Sequence, residues 1–372
     1  MSTKVKLLTI VIILAGTGGY LYLNRSVPER ISNIPKSSLP IASPSGTTQE
    51  ASKAIETVAT GLDVPWALAF LPDGSIITTE RNGNVKQLSQ DRVLEVGKID
   101  VHQSGESGLH GVAIHPDFDK NHFVYFYYTY ASSGEASQNK VVRYTFENGK
   151  ISSPAIIVDK IPGAIFHDGG RIKFGPDKYL YITTGDAGNP SLSQDRNSLA
   201  GKILRTTDAG KAAQGNPFGN LTYSFGHRNP QGIAWDQNGA LWETEHGSST
   251  MDEVNEILPG RNYGWPEIRG DQTRAGMEKP TVHSGGDTWA PAGAAFYNGF
   301  LFFGGLRGQA LFELNLNTLE LREHFKAEFG RIREVVLGPD NMLYITTSNR
   351  DGRGNPQAED DKIIRVDPKQ LN

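Results

Sequence analysis

The chain has 372 residues, 42 of them glycine and none of them cysteine, with 37 Lys+Arg against 41 Asp+Glu for a net charge of −4. Without cysteine there are no disulfides, no thiol catalysis, no zinc–cysteine centre and no lipoprotein anchor. The mild negative charge offers no field to hold nucleic acid, and a 37% apolar share excludes both a wholly disordered chain and a multi-pass membrane protein.

Lys4 and Lys6 precede the apolar run Leu7–Ala15, which has the grammar of an export signal. Read on to Leu23 the segment is about 17 residues, near the length of a membrane span. Residues 1–24 are therefore expected to be a signal peptide or an uncleaved membrane anchor. Residues 25–53, rich in Ser, Pro, Thr and Ala without periodicity, read as a flexible linker. Residues 54–370 form the body, placed in the periplasm or outside the cell, with membrane contact only through the N-terminal segment.

From Ile55 onward one unit recurs: an apolar strand, a turn, and a second apolar strand. Its copies contain Trp66–Thr79, GVAIHPDFDKNHFVYFYYT from Gly111, RIKFGPDKYLYITTGD from Arg171, GIAWDQNGALWETEHG from Gly232, GAAFYNGFLFFGG from Gly293 and REVVLGPDNMLYITTSN from Arg333. Turn residues Asp73, Asp117, Asp177, Asn238, Asn298 and Asp340 mark the six copies. Further strand candidates at Asn84–Leu88, Asn139–Phe146 and Lys362–Val366 raise each unit to about four strands. One such sheet cannot bury both faces, but six around an axis can. The expected fold is all-β, a six-bladed β-propeller of four-stranded antiparallel sheets; two sandwich domains are the alternative. Ile55–Ala59 has strand character ahead of the first copy and is expected to pair with the sixth unit, closing the ring.

Chemistry collects in the loops between these strands. His167, in HDGGR, is a natural base near neutral pH, and Asp186, one hairpin later, can hold its ring; alone, such a pair also occurs by accident on a surface. Arg228 and Asn229 follow His227 and offer fork and amide donors to carboxylates or carbonyls, with His227 assigned to packing. Glu245-His246-Gly247-Ser248, then Asp252, Glu253, Asn255 and Tyr263, can make an oxygen cage suited to calcium or simply a solvated acidic turn. Arg307 lies near the end of a late strand. Arg331 and Arg333, two apart, share a face if in a strand, which suits an anionic ligand. Ion pairing with Glu334 is the plainer reading.

These motifs carry a resemblance. GLDVPWALAFLPDG, SGESGLHGVAIHPDF, HDGGRIKFGPD with GDAGN, SFGHRNPQGIAW, DEVNEI with NYGWPE, and GRIREVVLGPD together resemble the soluble quinoprotein aldose dehydrogenases of the glucose/sorbosone dehydrogenase family, from about Leu62 to Asp367. The resemblance implies a six-bladed propeller carrying pyrroloquinoline quinone (PQQ) and Ca2+ that oxidises aldose sugars to lactones and passes electrons to an external acceptor (a quinone, cytochrome or dye). It implies His167 as base, Asp186 as its orienting group and Arg228 as stabiliser of the reduced quinone oxygen. Asn229, Arg307, Arg331 and Arg333 match cofactor-contacting positions. The carbonyls of Gly247 and Ser248 match ligands of the cofactor's calcium, and Glu253 and Tyr263 match ligands of a structural calcium. Departures from the best-known glucose enzyme fall at Glu106 and His246, both glutamine there beside the cofactor, and at Arg307, a lysine there. Glu106 adds negative charge near an anionic cofactor and needs a compensating cation. A calcium-dependent propeller hydrolase such as a lactonase, and a non-catalytic binding propeller, are the competing functions.

Overall fold

The computed structural model describes residues 54–89, 92–131 and 137–371; the N-terminal segment and linker lie outside the described residues. Six four-stranded antiparallel sheets follow one another along the chain. Their first, inner strands are Pro65–Phe70, Leu109–Ile114, Ile172–Phe174, Pro230–Trp235, Pro291–Tyr297 and Ile332–Leu337, opening blades one to six. Blade six takes its outer strand from the other end of the chain. Ile55–Ala59 pairs with Ile363–Val366, Ile55 opposite Val366, so the expected closure is present. Among the described residues the only helices are single turns, Phe118–Asn121, Ser191–Gln194 and Pro368–Gln370, and none is long and apolar enough to cross a membrane.

The core lies between blades. Trp66, Val112 and Phe126 join blades one and two; Tyr125, Ile172 and Leu180 join two and three; Ile203, Ile233 and Tyr263 join three and four. Ala234, Trp289 and Phe303 join four and five; Phe302, Leu311 and Ile345 join five and six; Leu68, Ile76 and Val336 join six to one. Six interfaces for six blades is the signature of a closed ring.

The glycine that opens several of the repeats has a packing cause. A Cβ on Gly111 would stand 2.4 Å from the Gly170 carbonyl oxygen, one on Gly232 2.2 Å from that of Ala292, and one on Gly293 2.0 Å from a Glu334 carboxylate oxygen. Each contact is with the next blade, so these glycines let inner strands approach closely around the axis. The marker turns behave as expected at Asp73, Asp177 and Asp340, whose Oδ1 atoms accept backbone N–H groups two residues on. At Asn238 the accepting side chain is that of Asp236 instead. After Asp117 the chain makes one helical turn, ended by His122 in the left-handed region (φ 55°).

Charged side chains bridge the ring. Arg171 pairs with Glu334 from blade six and donates to the Gln231 carbonyl at 2.9 Å, with both members of the pair buried. Lys173 donates to the carbonyls of Ile233 and Ala294. Glu334 is thus engaged by Arg171, and the expected pairing of Arg331 and Arg333 with Glu334 does not occur.

Candidate functional site

Segments that precede an inner strand or follow a second strand end on one face of the ring. They bring together His167 and Asp186 from blade three, Arg228, Asn229, His246 and Gly247 from blade four, Arg331 from blade six with Arg333 just inside its inner strand, and Glu106 from the approach to blade two.

His167 holds a left-handed backbone (φ 65°), and its carbonyl lies so near Gly185 that a Cβ there would come within 1.8 Å of it. Glycine at 185 is a condition of this loop. The ring Nδ1 meets Asp186 Oδ1 at 2.8 Å, and Asp186 is buried. The second Asp186 oxygen accepts the Trp265 indole N–H at 2.8 Å, and the Gly188 N–H reaches Oδ1 at 2.8 Å. A carboxylate on Nδ1 keeps the proton there and leaves Nε2 as an acceptor on the open side.

Glu106 supports the same loop. One carboxylate oxygen accepts the His167 backbone N–H at 3.2 Å, and the other takes Arg353 Nη1 at 2.5 Å from across the ring. Burial alone would raise this carboxyl; the Arg353 ion pair, neighbouring His246 and the His167 N–H outweigh it and hold it at about 2. Arg353 is the compensating cation that Glu106 requires.

Arg331 directs Nε and Nη2 to Asp351 Oδ2 at 3.0 and 2.8 Å, and Arg333 Nη2 lies 3.6 Å from the same oxygen. The two arginines share a face as their spacing implies, with Asp351 in the role expected of Glu334. Arg333 stacks over Trp66 at 5.6 Å, and burial lowers its pKa to about 10, so it stays charged at neutral pH.

Arg228 donates to the carbonyls of Gly247 (2.6 Å) and His246 (3.2 Å) and sits over the Trp265 ring. Asn229 Oδ1 accepts the Gly169 N–H. Around this face several buried nitrogens have no partner: Arg228 Nε, Asn229 Nδ2, His246 Nε2, His110 Nδ1 and Arg81 Nε. Burial pushes His110 down to about 3 and His246 down to about 4, so both imidazoles are neutral near pH 7.

Beneath blade four's loop lies a second cluster. Glu243, Glu245 and Glu253 are buried with His227 and Asn255, and burial with mutual repulsion pushes all three carboxyls well up. Ligand atoms of His227, Glu243 and Glu245 lie within 4.8 Å of one another, while Glu243 Oε1 and Asn255 Oδ1 lack partners. His227 also stacks on Tyr263 (4.9 Å), consistent with its packing role. The Tyr263 hydroxyl is committed to the Glu256 carbonyl and the Leu258 N–H, so any ligand it offers is its own carbonyl. Asp252 instead organises the loop, accepting the N–H groups of Gly247, Trp289 and Ala290. Ser248 Oγ meets Arg269 at 2.8 Å. Arg307 is exposed on this face and makes no side-chain hydrogen bond or ion pair among the described residues.

Sequence reasoning missed Arg353, Arg81, His110 and Trp265. Trp265 stands in the quoted NYGWPE, while Arg353, in the polar stretch DGRGNP, carries no local signal: its partner is 247 positions away.

The profile of the Glucose / Sorbosone dehydrogenase family matches residues 62–364. The PQQ-bound aldose sugar dehydrogenase of Streptomyces coelicolor superposes with a TM-score of 0.80 at 40% identity, covering 84% of this chain and 96% of that one. Aldose sugar dehydrogenase YliI of Escherichia coli (strain K12) is 31% identical over 85% of this chain and 93% of its own length. Quinoprotein glucose dehydrogenase B of Acinetobacter calcoaceticus is 31% identical over 59% of this chain and 54% of its own.

Proposed function

The chain belongs to the glucose/sorbosone dehydrogenase family, and from that premise we propose that it oxidises the anomeric hydroxyl of aldose sugars to a lactone with PQQ as the electron-accepting cofactor. The observation that carries this reading is the set of unpartnered buried nitrogens on Arg228, Asn229, His246, His110 and Arg81. Leaving such groups unpaired costs about 1–3 kcal/mol each, and a ligand rich in carboxylate and carbonyl oxygens relieves that cost. The buried Glu243, Glu245 and Glu253 with orphaned Glu243 Oε1 and Asn255 Oδ1 fit a hard cation such as calcium. The Gly247 carbonyl, by contrast, already accepts from Arg228, so a cation there would displace that bond.

PQQ, when bound, supplies an electrophilic quinone carbonyl that accepts hydride from the sugar's C1, its electrons leaving to an external acceptor. The chain's own part is proton transfer, charge and position. His167 Nε2 takes the proton from the anomeric hydroxyl as C1–H leaves as hydride and the C1–O bond becomes a carbonyl. Asp186 holds the imidazolium that forms, and Trp265 fixes Asp186. Glu106 holds the His167 main chain. Arg228, Asn229, Arg331 and Arg333 would hold the cofactor, and the Arg228 guanidinium would stabilise negative charge on its reduced oxygen. With the N-terminal segment read as an export signal or anchor, the reaction is placed outside the cytoplasmic membrane.

The test is His167→Ala. Turnover of glucose or xylose should fall by about 10²–10⁴, while PQQ affinity in a spectroscopic titration stays within a factor of a few. Equal loss of affinity and turnover would contradict His167 as the base.

A further inference from the structure

We propose that Lys202 is a positioning residue of the site: its buried ammonium fills a cage of backbone carbonyls and, through the helical turn Ser191–Gln194, fixes Asp186, Trp265 and Arg228 relative to one another. This rests on the aldose-oxidising reading above and adds what holds its proton-handling groups in place.

Lys202 opens the third strand of blade three, Lys202–Thr206, and is buried. Its side chain makes no ion pair among the described residues. Nζ donates instead to three carbonyls, those of Leu192 (2.9 Å), Ser193 (3.1 Å) and Ala200 (2.5 Å). All three N–H bonds of the ammonium are thereby spent. Taking a charge out of water without a counter-ion is costly, and here carbonyl dipoles replace the lost hydration. The charge supplies order to a segment with little of its own. A turn of four residues is too short to be stable alone, and Pro190 at its N-cap gives no side-chain hydrogen bond. The Leu192 and Ser193 carbonyls belong to its C-terminal end, where carbonyls lack partners within the helix.

The turn reaches the site by two routes. Ser193 Oγ donates to the His227 carbonyl at 2.7 Å, and the Ser193 carbonyl accepts the Gly226 N–H at 3.0 Å. These bonds place the segment of Arg228, whose carbonyl accepts the Asp186 N–H at 2.8 Å. Gln194 Nε2 donates to the Trp265 carbonyl at 2.7 Å, and the Trp265 indole holds Asp186. Gly201 locks the two routes together. Its N–H donates to the Gly185 carbonyl and its carbonyl accepts the His227 N–H. A Cβ on Gly201 would stand 2.1 Å from Ser193 Oγ, so the turn is pressed against this strand.

The experiment compares wild type with Lys202→Ala in ammonium chloride and, as a cation too bulky for the cage, tetramethylammonium chloride at equal concentration. Before PQQ is added, the Gly226 and His227 amides should exchange hydrogen about tenfold faster in the variant. The amides of Leu343–Thr347 in blade six should keep the wild-type rate. Ammonium should restore the protection and tetramethylammonium should not. In the PQQ- and calcium-loaded enzyme, kcat for xylose should fall about ten- to hundredfold with KM within a factor of about three, as expected when catalytic groups shift by about an ångström. Ammonium should recover it. Exchange that is unchanged, raised equally in every blade, or not recovered by ammonium overturns the proposal, as does an unchanged kcat. Exchange that ammonium recovers supports the placement even if no aldose is oxidised. If the alanine variant does not fold, Gln194→Ala spares the cage and carries the test. The NMR resonance of the Trp265 indole N–H should then shift and kcat should fall, whereas a resonance and kcat equal to wild type overturn the proposal.

Discussion

At Glu106 a carboxylate accepts the backbone N–H of the proposed base and pairs with Arg353, beside the site proposed to hold an anionic cofactor. On the proposed reading, removing Arg353 alone would leave that carboxylate uncompensated beside the cofactor site. Arg353→Ala should weaken PQQ binding about three- to tenfold, a modest effect because Arg353 is half exposed. Adding Glu106→Gln should restore it, and failure of the double variant to recover in a fluorescence titration would mean Arg353 acts by some other route. The same pair has a pH signature. The Glu106 carboxyl lies at about 2 in the folded protein against an ordinary 4.5. Between those values the unfolded chain binds more protons, so stability rises with pH through the window. The contribution is complete above about pH 4.5 and is lost as pH falls through about 2. Denaturant titrations across acid pH should show a shallower loss in Glu106→Gln than in wild type.

Among elements, the outer strand of blade six and the glycines of the inner strands carry the ring. A chain beginning at residue 54 keeps Ile55–Ala59 and should melt like the full-length protein. One beginning at Thr60 leaves Ile363–Val366 as an open edge and should lose about 10 °C or aggregate. Gly232→Val would drive a side chain into the Ala292 carbonyl of the next blade and should cost about 1–3 kcal/mol in denaturant unfolding. These elements were the legible part of the sequence. The strand–turn–strand period, the marker turns and the N-terminal closing strand depend on local alternation and turn chemistry, which a single chain displays. The pairing of His167 with Asp186 was legible because both flank one hairpin. Arg353 with Glu106, Asp351 under Arg331 and Arg333, and Arg171 with Glu334 were not, because each forms only when loops far apart in sequence meet around the axis. The reading of Glu334 failed for that reason: adjacency in sequence lost to a partner facing it from blade three.

Over the whole molecule, six blade interfaces close a ring and its charged interior is satisfied from several blades at once. Among the described residues the exceptions include Arg171 Nη2 in the centre, the buried carboxylates of blade four with Asn255, and the unpartnered nitrogens on the loop face. A cation that binds the carboxylates only in the folded state adds stability by mass action. Chelator should lower the melting midpoint by about 5 °C and added calcium restore it, whereas an unchanged midpoint would argue against a cation there. The loop-face nitrogens bear on the central claim, that the ring gathers His167, Arg228, Asn229 and Arg333 around one anionic redox cofactor. The most direct measurement is an absorbance titration of PQQ into the calcium-loaded protein, followed by addition of glucose or xylose. Saturation at one PQQ per chain, with bleaching to the reduced form on adding sugar, is the expected result. No saturable binding, or a bound PQQ whose spectrum no aldose alters, would contradict the account.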